Sequence, residues 1–583
     1  MLRARTPSHR ALGDEAQRER AVQLAKNSVA LHENGKELSN RELAEFQQLM
    51  QSGAKDPEFA VEFYREMGAK DALRFQAQLS IAASSGDDKT RLELAQSIQK
   101  DMGLALATAT GPSTDKDDAH ASLREGRAYL GKEWINDLKE AGTQPLSVGL
   151  DHAQPVGYQV LASLLQHGTY DRSFLNPIAQ DTVTLERKGA TWPVADPHQG
   201  SQHFGLNLTH KKTPGWDPMT GLLEAFGRSP EASAAFFNGS TGGGNSDLKR
   251  LSNLDFFLSE DSGRKWLPDK TSGLTNPDDE SRIPAKQALG HALESATTGR
   301  PYGDDGPLLP HTREQADVFE KVVRELGSDP HPIQHDGSLA PLVPSLGNMS
   351  AEYMYDIQRS MAWPGGSQHF EHVGAEANLS YKEGDALEAF LQAVAENPEA
   401  YGTVTTAQQT VTTEAIRRAM ADADGRTLAD AAVRAAMPGA IVADSAAKGR
   451  VVATAAADDG VQEVAEYNEN LDVADKWVGR LIAMAATRGP STRDAARLSE
   501  DVRKGVMKHH VENALDAFEH IEESREDYLK STRSRAGFAA RQAVLAAARY
   551  QGISTGHHTS GGGAVDDVYM TVSHTRWGYH WSS

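Results

Sequence analysis

Apolar side chains recur every three to four residues along most of this chain, and that spacing is typical of amphipathic helices. Helix starts are marked by a capping box at residues 39–42 and by an Asp-Pro-Glu sequence at residues 56–58. The second device returns at residues 229–231 and 397–399, with Ser or Asn in place of Asp. We therefore predict a mainly α, multi-lobed fold built from helical hairpins.

Only short stretches depart from the helical pattern. Residues 181–186 and 203–209 alternate β-branched with polar residues, so each is predicted to form a short strand. After Gly552 the helical periodicity is lost, and the end of the chain is rich in glycine, histidine and aromatic residues. We predict that this tail, which contains His557-His558, the glycines 561–563 and the stretch from Thr571 to Trp581, holds one β-hairpin. At most a few short strands are thus expected beside the helices.

One block of sequence occurs twice, with an offset of about 165 residues. Both copies contain, in the same order, a Trp-Pro pair, the pentapeptide Gly-Ser-Gln-His-Phe and a Leu-Glu-Ala-Phe segment. These elements begin at Trp192, Gly200 and Leu223 in the first copy and at Trp363, Gly366 and Leu387 in the second. Chance explains several ordered matches poorly, so we infer an internal duplication of a unit the size of a small domain.

The duplication and the changes in composition divide the chain into six predicted segments. These are N-terminal helical hairpins (1–107), a linker and connecting helix (108–156), the first duplicated unit (157–280), the second duplicated unit (281–407), an alanine-rich helical region (408–551) and the tail (552–583).

Charge and composition exclude several classes of protein. The 81 acidic and 60 basic residues give a net charge of −21, which repels nucleic-acid phosphate, so no nucleic acid is expected as a partner. Without cysteine there is no disulfide, thiol nucleophile or cysteine-bound zinc. No apolar run is long enough for an integral membrane segment. We expect a soluble, acidic protein that is cytoplasmic as synthesised, and export without a cleavable signal peptide is left open.

Three stretches resemble a family of uncharacterised actinobacterial (Streptomyces-type) proteins with a domain of unknown function, often encoded beside WXG-type components of type VII secretion. They are residues 40–75, the block from Gly157-Tyr-Gln-Val-Leu to Pro218-Met-Thr-Gly-Leu-Leu-Glu, and residues 475–484. The resemblance implies a helical protein without an assigned activity. Family members usually carry a WXG-like N-terminal module, and this chain is expected to start downstream of it. Residues 485–490 also replace the family's glycine-rich apolar segment.

The repeated histidines are the first candidates for chemistry. His203 and His369, with His372 and His210, could supply nitrogen ligands to a metal, although Leu206 replaces the second histidine in the first copy. Alternatively, each repeated histidine fixes a turn beside a tryptophan. No metal or cofactor is therefore assigned, and the catalytic residues are unknown. Five aromatic residues are predicted to serve interaction or structure: Trp192, Phe204, Trp363, Phe370 and Trp477.

The sequence gives less reason to assign a catalytic or metal-binding role to the other histidines. His291 and His335 are interpreted as surface residues, because neither belongs to a two-histidine zinc-protease motif. The tail contains His557, His558, His574 and His580 beside aromatic residues. Such a tail could form a small catalytic or toxic terminus, although so few residues do not fold as an enzyme alone.

These observations favour a non-enzymatic helical protein-interaction or scaffold protein in a type VII secretion context. Its partners would be other proteins, and its oligomeric state is open. One alternative is an enzyme, either a metal-dependent hydrolase or a toxin that acts through its C-terminal region. Another alternative is a phage-like structural component.

Overall fold

A computed structural model describes most of the chain. The described residues are 9–33, 36–85, 88–111, 129–148, 154–193, 205–209, 214–243, 248–262, 264–267, 284–362, 367–379, 386–456, 460–486, 492–510 and 525–574. In this part the protein is mainly α-helical, which confirms the predicted fold class. None of the described helices combines the length and apolar character that a bilayer crossing requires.

The chain forms two compact units. The first comprises residues 1–296 with 300–302, and the second comprises 297–299 with 303–583. The boundary between the units lies within residues 281–407, the segment predicted as the second duplicated unit. The six predicted segments and the duplication itself stay predictions.

The first unit is a set of helices with one small sheet. Its helices are α1 (His9–Glu33), α2 (Asn40–Gly53), α3 (Pro57–Met67), α4 (Ala69–Ser85), α5 (Lys89–Thr110), α6 (Lys132–Gly142), α7 (Gly157–Leu165), α8 (Arg172–Arg187), α9 (Pro218–Arg228), α10 (Pro230–Asn238), α11 (Asn253–Leu258) and α12 (Pro284–Thr298), whose last two residues belong to the second unit. Strands β1 (Ser240–Thr241) and β2 (Leu251–Ser252) pair antiparallel, and a 3-10 turn spans Glu260–Ser262.

Local capping chemistry explains where the first helices begin. The Ser39 hydroxyl accepts the Glu42 N–H while the Glu42 carboxylate accepts the Ser39 N–H, so the predicted capping box is confirmed. The Asp56 carboxylate accepts the N–H groups of Glu58 and Phe59 at the start of α3. The apolar faces of α2 and α3 meet in an aromatic core.

That core is built on three phenylalanines without exposed surface. Phe46 from α2 packs edge to face on Phe75 from α4, with ring centres 5.0 Å apart, and tilted on Phe63 from α3 at 6.2 Å. Because each ring comes from a different helix, the contacts fix the three helices around one point.

The second unit is also helical. Its helices are α13 (Arg313–Ser328), α14 (Val343–Glu352), α15 (Met354–Ser360), α16 (Ala386–Val394), α17 (Pro398–Asp422), α18 (Leu428–Ala456), α19 (Gly460–Val473), α20 (Asp475–Ala486), α21 (Thr492–Val506), α22 (Arg525–Gln551) and α23 (Ser560–His574). Short 3-10 turns lie at His331–Ile333, Ala340–Leu342, Ser367–His369 and Met507–His509.

A buried arginine lies in the core of the second unit. Tyr401 of α17 and Tyr467 of α19 pack edge to face, with ring centres 5.1 Å apart. The Arg450 guanidinium of α18 lies 5.2 and 5.1 Å from these two ring centres. All three side chains are buried, so the aromatic faces solvate a charge that water does not reach.

Two strand predictions are wrong. Residues 181–186 lie inside α8, because Phe174, Ile178 and Thr182 are buried at helical spacing and this packing outweighs the β-branched composition. Residues 205–209 are not a strand, since Leu206 and Asn207 both donate their N–H groups to the Pro214 carbonyl. Residues 203 and 204 lie outside the described residues.

The predicted tail hairpin is also wrong as far as residue 574. Residues 560–574 form α23, whose Val565, Val568 and Val572 are buried at spacings of three and four. The rest of the predicted hairpin lies outside the described residues. The glycine run at 561–563 misled the prediction, because it permits close packing at Gly561 and Gly562, where an added Cβ would meet backbone carbonyls.

Two helical glycines of the second unit should respond oppositely to alanine. At Gly402 an added Cβ would lie 2.4 Å from the Asn470 carbonyl oxygen, whereas at Gly479 nothing lies within 4 Å. We expect Gly402→Ala to cost about 1–3 kcal/mol of unfolding free energy by overpacking. Gly479→Ala should stabilise by about 0.5–1 kcal/mol through helix propensity. Guanidinium unfolding of the whole protein measures both, and equal shifts would contradict the packing at Gly402.

Candidate functional site

The second copy of the repeated pentapeptide leads into a segment that is held in place by side chains of the second unit. We refer to residues 367–379 as the docked segment. Arg359 of α15 donates from Nη1 to the carbonyl oxygens of Ser367 and Phe370, both at 3.1 Å, and from Nε to Glu376 Oε1 at 2.9 Å. One guanidinium thus donates to the segment at three points. Arginine can do this because its planar guanidinium carries several N–H donors in a fixed arrangement.

Two further contacts hold the far end of the docked segment. Arg313 of α13 donates from Nη1 to the Glu376 carbonyl oxygen at 2.6 Å. The Asn378 N–H donates to Glu320 Oε1, also from α13, at 2.8 Å. The segment is therefore tied to α13 by its backbone and to α15 by both backbone and side chain.

A third arginine contacts the docked segment through Glu371. Arg418 of α17 lies 3.4 Å from Glu371 Oε2 and 2.5 Å from Glu414 Oε1. Glu414 is almost completely buried and also accepts the hydroxyl of Tyr355. Because Glu414 has both an arginine and a hydroxyl donor, its charge is compensated inside the unit.

The candidate residues of the second copy differ in their surroundings. Phe370 has no exposed surface and anchors the docked segment in the core. His369 is partly buried, and this burial lowers its pKa, assisted by Arg418 and opposed by Asp422. His372 is partly exposed, with Nδ1 3.8 Å from Glu376 Oε2.

The metal hypothesis gains no third ligand from the described residues. In that part of the chain, no three or more His, Asp and Glu side chains come together in a way that could hold an ion. His203, Phe204, His210 and Trp363 lie outside it. The metal prediction for His203, His369 and His372 therefore stays a prediction.

Residues 205–209, which follow the first copy of the pentapeptide, are bound by a neutral amide side chain. Gln99 of α5 donates from Nε2 to the Leu206 carbonyl oxygen at 2.6 Å and accepts the Leu208 N–H at 2.8 Å. The Ser84 hydroxyl accepts the Gly205 N–H at 3.1 Å. Gln99 is completely buried, so these bonds satisfy backbone groups that water does not reach.

The two described candidate tryptophans are both buried. Trp192 packs edge to face on Tyr158, with ring centres 6.5 Å apart, and donates from Nε1 to Glu186 at 3.0 Å. Trp477 is 1% exposed, and the Arg480 guanidinium lies 4.9 Å from its ring centre. Neither ring presents a face to solvent.

Sequence reasoning missed a buried histidine–carboxylate pair beside the docked segment. His311 Nε2 lies 3.8 Å from Glu352 Oε1, and neither side chain has exposed surface. The His311 backbone pairs with the docked segment, donating to the Val373 carbonyl and accepting the Ala375 N–H. Its ring stacks on Tyr353 at 4.0 Å. Nothing in the local sequence marks this pair, because its partners come from distant positions.

Asp356 is the second buried ionisable group that the sequence did not indicate. Its carboxylate accepts the Ala377 N–H of the docked segment at 3.1 Å, and the side chain is 2% exposed. Burial raises the pKa of Asp356 to about 7; the Ala377 N–H and Arg359 act in the opposite direction, while Glu376 adds to the rise. The attachment of the docked segment therefore includes a proton that is exchanged near neutral pH.

His291 of the first unit is buried, so its interpretation as a surface residue is wrong. Its ring stacks on Tyr302 with centres 3.6 Å apart, and Nδ1 lies 3.0 Å from Glu224 Oε1. His335, in contrast, is exposed, and its ring Nδ1 lies 3.0 Å from Asp336 Oδ1. His557 and His558 are exposed as well.

Comparison of the sequence with models of known protein families gives no match, and comparison with curated proteins gives no match either.

The raised pKa of Asp356 predicts how stability changes with pH. The folded state holds this proton more tightly than the unfolded chain, so its stabilising contribution is complete below the ordinary aspartate pKa. This contribution to the free energy of unfolding is lost as pH rises from about 4 to about 7. The loss is on the order of 1 kcal/mol per pH unit. Asp356→Asn keeps an oxygen acceptor for Ala377 and should remove this slope. Guanidinium unfolding from pH 4.5 to 8 measures it.

The matched control for this measurement is Asp430→Asn, at an exposed carboxylate paired with Arg434 on the surface of α18. We expect its unfolding free energies to run parallel to those of the unchanged protein at every pH. Parallel curves for Asp356→Asn would contradict the assignment.

Proposed function

We propose that this chain is a non-enzymatic helical scaffold that binds other proteins through the C-terminal helices of its second unit. The observation that carries the proposal is the exposure of large apolar side chains on α22 and α23, two helices that pack against each other. Phe538 is 41% exposed and Met570 is 53% exposed. Phe538 also contacts the Tyr569 ring, with centres 4.9 Å apart. We refer to Phe538, Tyr569 and Met570 as the apolar patch.

Residue types support a protein partner for this patch. Aromatic residues and methionine are enriched in the buried centres of protein interfaces, and methionine adapts its shape to different partners. The net charge of −21 disfavours a nucleic-acid partner for the same surface.

The use of polar groups around the repeated motif also supports a scaffold. Arg359, Arg313 and Gln99 donate to the chain's own backbone carbonyls, and Asp356 accepts a backbone N–H. These side chains are therefore engaged in fixing extended segments against helices. A rigid frame of this kind lowers the entropy cost of presenting a binding surface.

A type VII secretion context remains part of the proposal. It rests on the resemblance of residues 40–75, of the block from Gly157 to Glu224 and of residues 475–484 to proteins encoded beside such systems. The partner would then be a component or client of that system.

Site-specific photocrosslinking tests the patch. A photoreactive side chain at Met570 should give a crosslink to a discrete protein, and the same group at Leu309, 41% exposed elsewhere in the second unit, should not. With that partner purified, Phe538→Ser combined with Met570→Ser should weaken binding about tenfold or more, since each lost anchor costs about 1 kcal/mol or more. Leu309→Ser should leave the affinity within about twofold. Equal crosslinks from both positions would contradict the proposal.

Localisation tests the secretion context separately. An internally tagged protein should appear in the culture medium or envelope only when the secretion ATPase is present. Identical distribution with and without the ATPase would remove the type VII part of the proposal and leave the binding function unchanged.

A further inference from the structure

Helices α17, α21 and α22 of the second unit enclose a small cleft. Its floor is apolar, formed by Leu498, Ala546 and Ala547, all of which are buried. Arg417 of α17 and Arg497 of α21 line it together with Tyr550 of α22, whose side chain is 44% exposed at the rim. The cavity volume is about 20 Å³. By this measure the cleft has space for about one or two water-sized groups, such as the two oxygens of a carboxylate, and too little for a nucleobase or a sugar.

The two arginines of this cleft differ from the neighbouring arginines of α17 and α22 in their partners. Neighbouring arginines are neutralised: Arg418 pairs with Glu414 and Glu371, and Arg549 pairs with Asp501 at 2.8 Å. Within the part of the chain that the structure describes, neither Arg417 nor Arg497 has a carboxylate within 4 Å. The Arg417 guanidinium instead lies 5.7 Å from the Tyr550 ring centre. Among the described residues, Arg417 and Arg497 therefore have no carboxylate in salt-bridge range, and Asp501, which also lines the cleft, is paired with Arg549.

The shape and the charge of the cleft together favour a carboxylate as its ligand. A carboxylate is planar and presents two oxygens to guanidinium groups, and it fits a volume of this size. The buried leucine and alanines offer an apolar surface for the methylene groups that carry the carboxylate. Asp501 also lines the cleft, so a phosphate dianion meets a negative charge that a single carboxylate tolerates better.

We infer that this cleft binds one carboxylate, presented by an acidic residue of an extended segment of a partner protein. Arg417 and Arg497 bind the carboxylate oxygens, and Tyr550 holds the Arg417 guanidinium against its ring. The inference rests on the proposed function in so far as the carboxylate belongs to a protein.

The test uses the whole protein and a fluorescein-labelled peptide in which one glutamate is flanked by leucines and glycines. Fluorescence anisotropy should show saturable binding that weakens with added salt. The same peptide with glutamine in place of glutamate should bind at least tenfold more weakly. Inorganic phosphate should compete poorly. Equal binding of the two peptides, no binding at millimolar protein, or strong binding of phosphate without the peptide would each overturn the inference.

Two variants locate the binding in the cleft. Arg497→Gln changes an exposed side chain without a carboxylate partner in the described residues, so it should fold normally and bind about tenfold more weakly. Arg417→Lys should give an intermediate loss, because lysine keeps the charge but not the planar fork. The matched control is Arg434→Gln, at an exposed arginine on α18 that is paired with Asp430. An equal loss in Arg434→Gln would show a nonspecific charge effect and overturn the assignment.

Failure here is distinguishable from failure of the proposed function. If Met570 crosslinks a partner while the cleft variants bind peptide unchanged, the scaffold function stands and the carboxylate site falls. If the cleft binds peptide and Met570 gives no crosslink, the carboxylate site stands and the apolar patch falls.

Discussion

The fold depends on how extended backbone is satisfied where it packs against helices. A helix closes its own hydrogen bonds, but residues 205–209 and 367–379 run without helical or sheet partners for most of their length. Side chains supply several of those partners: the buried Gln99 for the first segment, and the partly exposed Arg359 with the buried Asp356 for the second. Phe370 can occupy the core only because the backbone around it is bonded in this way. An unbonded buried backbone group would cost about as much as Phe370 burial gains.

The two units use different side chains to bond the backbone of these extended segments. Gln99 is neutral, and its bonds do not change with pH or salt. Arg359, Arg313 and Asp356 carry charges, and the Asp356 proton is exchanged near neutral pH. Attachment of the docked segment should therefore respond to pH while the equivalent attachment in the first unit does not.

Local chemistry made part of this structure predictable. Ser39 and Asp56 mark helix starts because the capping partner lies two or three residues away. The strand predicted at 181–186 failed because Thr182 and Val183 were judged by β propensity, whereas Phe174 and Ile178 set the helical face. Of the candidate site, the histidine and phenylalanine of the repeated motif were visible in the sequence. The pairing of His311 with Glu352, the burial of Asp356 and the meeting of Arg417 with Arg497 were not, since each depends on packing between residues distant in sequence.

The proposed apolar patch and the proposed arginine cleft share one helix, and a single partner segment that occupied both would be limited by their positions. Phe538 and Tyr550 are twelve residues apart on α22, which corresponds to about 18 Å along the helix axis. At about 100° per residue they point in directions that differ by about 120°. An extended polypeptide covers about 3.3 Å per residue, so at least five or six residues must separate its apolar anchor from its acidic residue. A partner helix would need about twelve residues for the same distance, and a straight one could not follow the turn around α22. The two surfaces together therefore favour an extended acidic and apolar segment over a docked helix.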